Sequence, residues 1–86
     1  MVEVTVHYWA AAKDAAETPS EVVKASNLRE VLNAIQSARP ENYRFAAVLS
    51  RSSFLVNDEP AGRRDPALIL LPDGATIEVL PAFAGG

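Results

Sequence analysis

One segment, between Asn27 and Pro40, does most to limit the architecture. Leu28, Val31, Leu32 and Ile35 fall at i, i+3, i+4 and i+7, the spacing that lines one face of a helix, and Ala38 continues the stripe. Asn27 stands just ahead with Glu30 three residues later, a capping-box-like start. Pro40 closes the segment, because proline disfavours helical geometry at the residue before it, Arg39. A helix with one apolar stripe has to bury it against a second layer. The residues on either side of this helix read mostly as strand.

Val2, Val4, Val6 and Tyr8 alternate with Glu3, Thr5, His7 and Trp9, so residues 2–9 are expected to form a strand with one face buried. Residues 10–17 have helix-forming composition, but so short a helix is marginal alone, and they are read as a connecting loop with at most one helical turn. Glu21 to Ala25 is β-rich and is expected to return antiparallel to the first strand. After the helix, Glu41 to Leu49 is expected to form a second, shorter helix with Pro40 near its start. Ser53 to Asn57 reads as a strand, 58–66 as a loop, and Ala67 to Leu71 as either a short strand or an apolar turn packed underneath. Pro72-Asp73-Gly74 is a turn signal, and Thr76 to Leu80 is the last strand, with Ile77 and Val79 on one face. Two strands, a helix, then two or three strands predict an α+β chain of β-grasp type: a mixed sheet with the helix packed on one face. The other face would stay open, carrying Thr5, His7 and Trp9.

At 86 residues there is room for one domain, and a chain of this size buries only about 60 to 65% of its unfolded surface. A deep active site is not expected. Eight Lys+Arg against eleven Asp+Glu give a net charge of −3, and only Arg63-Arg64 are adjacent, which argues against a nucleic-acid binder. Zero cysteines and one histidine argue against disulfides, thiolate zinc sites, iron–sulfur clusters and metal sites in general. No apolar run approaches a membrane span, and the amino terminus lacks a signal-peptide pattern, so the expected location is the cytoplasm, away from membranes.

Among candidate sites, Gly85-Gly86 carry most information. Two glycines after a final strand add nothing to a core and are costly to order. They make a side-chain-free thread that can enter a narrow channel, and 81–86 is expected to be a flexible tail. Phe83 reads as an apolar anchor for a partner, with packing on the core as the alternative. His7 and Trp9 lack the companions a catalytic triad needs, and Trp9 is expected under the tail or at a partner surface. Asp58-Glu59 and Arg63-Arg64 read as solvated loop charges.

Tyr8-Trp9-Ala10-Ala11-Ala12-Lys13-Asp14, the helix at 28–39, and above all Asp73-Gly74-Ala75-Thr76-Ile77-Glu78-Val79-Leu80-Pro81-Ala82-Phe83-Ala84-Gly85-Gly86 resemble the MoaD family. These are the small sulfur-carrying subunits of molybdopterin synthase, ubiquitin-like proteins related to the thiamin sulfur carrier. Lys13-Asp14 stands where the family often has Arg-Glu, which gives up the planar guanidinium fork, and Ala82 stands where a second proline is common.

The resemblance implies a non-catalytic sulfur carrier. A MoeB-like adenylyltransferase of ubiquitin-activating type would use ATP to adenylate the Gly86 carboxylate. A persulfide-derived sulfur would convert it to a thiocarboxylate, and the tail, with Pro81, Phe83 and Gly85, would thread into a MoaE-like large subunit. No cofactor would be bound by the carrier itself. Sulfur carriage for thiamin or cysteine synthesis is an alternative, as is a ubiquitin-like modifier joined through Gly86 to lysines, or an interaction module without terminal chemistry.

Overall fold

A computed structural model of the protein describes residues 1–82. Its strands are β1 (Val2–Tyr8), β2 (Ser20–Ala25), β3 (Ser52–Val56), β4 (Glu59–Pro60) and β5 (Ala75–Pro81), and its helices are α1 (Ala10–Ala16), α2 (Leu28–Ser37) and α3 (Tyr43–Ser50). The strands form one five-stranded sheet in the order β2-β1-β5-β3-β4, with β1 and β5 parallel and the other neighbours antiparallel. The central parallel pair flanked by antiparallel strands, with helices packed on one face, is the expected β-grasp, ubiquitin-like fold.

Strand alternation builds the core. Val4, Val6 and Tyr8 from β1 and Ala75, Ile77 and Val79 from β5 are buried on the helix side. Leu28, Val31 and Ile35 of α2 close over them, each such side chain contributing about 1.5 to 3 kcal/mol by burial. Asn27 caps α2, its Oδ1 accepting from the Glu30 N–H at 2.9 Å, while the Glu30 carboxylate accepts from the Ser26 N–H at 2.6 Å. The capping box expected from Asn27 and Glu30 is thus present, shifted by one residue on its return bond. Leu32 is only half-buried and Ala38, the C-cap, is exposed, so the far side of the expected stripe lies at the edge of the helix face.

Three local readings are corrected. Residues 10–16 are a helix rather than a loop: Ala12, Ala15 and Ala16 are buried, and tertiary packing supplies what seven residues lack alone. The second short helix starts later than expected, because Asn42 and not Pro40 sets its start. Asn42 Oδ1 accepts from the Phe45 N–H at 2.9 Å, and its Nδ2 donates to Ala15 O at 2.8 Å, tying α3 to α1. Residues 58–66 are not all loop. Asn57 and Asp58 both take positive φ, 48° and 69°, the backbone of a tight hairpin turn, and Glu59–Pro60 pair back onto Val56 and Leu55. Ala67 to Leu71 resolves as the apolar turn, with a short 3₁₀ turn at Pro66–Leu68 and Ile69 and Leu71 buried.

Candidate functional site

Pro81, the first expected tail residue, is the last residue of β5 and pairs in register with Ser52, and the Ala82 N–H donates to Arg51 O at 3.3 Å. Phe83, Gly85 and Gly86 lie outside the described residues. Whatever follows Ala82 therefore leaves from the middle strand of the sheet, which is hydrogen-bonded on both sides. Pairing on both sides anchors this strand and fixes where the chain leaves the sheet.

The face around that point is the uncovered side of the sheet. Register places Val22, Thr5 and Thr76 in one row and Ser20, His7, Glu78 and Leu55 in the next, with Leu80 beside Ser53 beyond them. Trp9 belongs to this face. Its backbone N–H donates to Val79 O at 3.3 Å, extending β1 along β5 by one residue, and its indole N–H donates to Glu78 Oε1 at 3.1 Å. The ring stays 52% exposed, so it caps the face without being swallowed by the core. The next residue, Ala10, sits at φ 48°, a left-handed backbone that a non-glycine residue adopts at a cost of about 1 to 2 kcal/mol. This sharp turn into α1 holds Trp9 against β5. Sequence reading placed Trp9 on this face but did not single out Glu78, whose alternation with Ile77 and Val79 was the available signal.

One residue earlier, Tyr8 points the opposite way. Its hydroxyl donates to Glu21 Oε2 at 2.6 Å, and Arg39 Nη2 donates to the same oxygen at 2.6 Å. Burial, and then the Glu21 carboxylate, push the Tyr8 hydroxyl far above the ordinary tyrosine range. The cluster is a brace under the end of β1, opposite the open face and one residue before Trp9. No group of three His, Cys, Asp or Glu side chains able to hold a metal occurs among the described residues, and none of the described helices is long and apolar enough to cross a membrane. Asp58 shapes the β3–β4 turn. Arg64 donates to Ala61 O and Pro60 O, which holds the following loop. The open face offers the Trp9 ring, Leu55, Leu80, His7 and the Glu78 carboxylate near the end of β5, with Glu3 paired beside Lys24 at its other end.

A model of the ThiS family matches residues 6–86, nearly the full chain and its final glycines. The chain belongs to the ThiS family. Its members are ubiquitin-like sulfur carriers. No curated protein matches the chain in sequence. Among solved structures, small archaeal modifier protein 1 from Methanosarcina acetivorans superposes with a TM-score of 0.83 at 23% identity, over 100% of this chain and 98% of that one. A chain from the protein–protein complex of subunits 1 and 2 of molybdopterin-converting factor from Helicobacter pylori gives 0.69 at 27% identity, over 99% and 100%. Urm1 from Trypanosoma brucei gives 0.69 at 19%, over 98% and 95%. The archaeal and trypanosomal likenesses establish the fold, and the family match carries the functional class.

Proposed function

We propose that this ThiS-family protein is a non-catalytic sulfur carrier that serves molybdopterin synthesis through the carboxylate of Gly86. The observation that carries the reading is the family match running through Gly85-Gly86, at the end of a segment launched from the central strand. A carboxylate oxygen is a poor leaving group. A MoeB-like adenylyltransferase would let that oxygen attack the α-phosphate of ATP, releasing pyrophosphate and leaving an acyl-adenylate. The terminal sulfur of a persulfide then adds at the carbonyl carbon and AMP departs, leaving an acyl disulfide, and a thiol cleaves its S–S bond by exchange, releasing the thiocarboxylate and forming a new disulfide. The partner that receives the sulfur is a MoaE-like large subunit, in keeping with the two-subunit complex of the Helicobacter pylori relative. The carrier would hold no cofactor, and ATP would be bound by its activating enzyme.

A second reading, conjugation of Gly86 to lysine amines, is favoured by the likeness to a small archaeal modifier protein. Intact mass separates the two. With activating enzyme, ATP and a sulfur donor, a carrier gains the difference between a sulfur and an oxygen atom on Gly86, and a variant extended by one residue gains nothing. Recovery from cells only as isopeptide-linked species, with no such mass gain on the free protein, would overturn the carrier reading.

A further inference from the structure

The outer edge of the sheet at β3 is only half covered. β4 pairs with Leu55 and Val56 alone, and the Ala61 N–H adds one bond to Phe54 O at 2.9 Å. Asn57 donates to Thr76 O and Arg51 O accepts from Ala82, so odd-numbered residues of this stretch turn their backbone groups toward β5. Ser52 and Phe54, being even-numbered, turn theirs outward. Among the described residues, the Phe54 N–H and both backbone groups of Ser52 have no backbone partner. Sheet edges of this kind are templates for an added strand unless they are short, bulged or covered.

Beside this edge lies a groove. A hollow of about 430 Å³ is lined by Leu28, Phe54, Pro60, Ala61, Arg63 and Arg64 among others. A second of about 220 Å³, lined by Arg29, Leu32, Leu49 and Phe54 among others, meets it at Phe54. Three arginines and no carboxylate line the two hollows, in a chain whose net charge is −3. We propose that this groove docks an extended segment of a partner protein with alternating apolar and acidic residues, added as a strand along Ser52–Phe54. Main-chain bonds to Ser52 and Phe54 would hold it, its apolar side chains would enter the hollows, and its carboxylates would meet Arg29 and Arg63. A second copy of this chain is disfavoured as the occupant, because pairing edge to edge would bring two arginine-rich rims together. The proposal does not rest on the sulfur-carrier reading, and the groove runs along the β3 edge, on the far side of β5 from β1 and Trp9.

The test uses the intact protein and an end-capped nine-residue peptide alternating valine and glutamate. Binding should shift the amide resonances of Leu28, Leu32 and Phe54 and slow hydrogen exchange at Ser52 and Phe54. The double variant Arg29→Glu, Arg63→Glu should bind about tenfold more weakly or worse, and so should a valine–lysine peptide on the unmodified protein, which needs no variant to fold. Equal affinity for the two peptides, shifts confined to β2 or to the Trp9 face, or no binding at millimolar peptide would overturn the proposal. So would concentration-dependent shifts at Ser52 and Phe54 without peptide, which would assign the edge to a second copy.

Discussion

Arg39 reaches back from just beyond α2 to Glu21 on β2, its Nη2 lying 2.6 Å from Glu21 Oε2, while its guanidinium stands 4.8 Å from the Phe45 ring centroid and 5.6 Å from that of Tyr8. Both side chains of the pair are mostly shielded, 16% and 24% exposed, so water screens the attraction far less than at an ordinary surface pair. A second nitrogen, Nη1, donates to Ile35 O at 3.1 Å and satisfies a carbonyl in the last turn of α2. One side chain thereby joins β2, the end of α2, and the aromatic pair beneath them.

Arg39→Ala should therefore cost about 2 to 3 kcal/mol in denaturant melts, from lost charge-assisted bonds and lost ring contact. Arg39→Lys should recover less than half of it, since an ammonium cannot serve two acceptors and stack at once. A loss below about 0.5 kcal/mol for the alanine variant would place the pair among solvated surface bridges.

Tyr8 gives a pH dependence. Its folded pKa is raised, first by burial and then by Glu21, above the ordinary 10.0. The unfolded chain releases this proton first, so the stabilisation is complete below about pH 10 and declines above it, by about 1.4 kcal/mol per pH unit. Tyr8→Phe should be about 1 kcal/mol less stable at pH 8 and lack this component, so the difference between the two proteins should close and then reverse between about pH 10 and 12. A difference that stays constant with pH would show that the hydroxyl titrates alike in both states.

The helix register is tested at two neighbouring stripe positions. Ile35 is fully buried and Leu32 only partly so. Ile35→Ala should cost about 2 to 5 kcal/mol, and Leu32→Ala about 1, by calorimetry or urea melts. Equal costs would mean that α2 is rotated relative to its described seat.

That difference also marks how far the sequence could be read. The stripe gave the helix and its cap, and the period-2 pattern gave β1 and β5, because burial on one face imposes a period on the residues themselves. Periodicity could not say how wide the covering layer is, so Leu32 and Ala38 looked equivalent to Ile35. Helix α1 has the alanines of a helix former, but it was read as a loop because seven residues are too few to hold one alone, and the burial of Ala12, Ala15 and Ala16 that supports it comes from the tertiary fold. β4 was hidden because two residues including Pro60 carry no period, although Asn57-Asp58 held the turn chemistry. At the site, Trp9 was legible from alternation. Its bond to Glu78 links positions 69 residues apart, and only the parallel pairing of β1 with β5 creates it.

Trp9 supplies the last prediction. It is the only tryptophan in the chain, half exposed on the open face, and held to the central strand that leads to Pro81. A partner that receives the tail must approach within a few residues of this strand, so it should cover the indole. Adding a MoaE-like large subunit should shift Trp9 emission to shorter wavelength and reduce quenching by iodide. Trp9→Ala should weaken that complex by about 1 to 2 kcal/mol, as loss of an aromatic anchor does, while changing the stability of the isolated protein by less than about 1 kcal/mol. Glu78→Gln, which leaves the carbonyl oxygen as an acceptor for the indole N–H, should bind nearly as well as the unmodified protein. A complex that forms with unchanged Trp9 emission would mean that the partner takes the tail without touching this face, and that the indole serves only to brace β1 against β5.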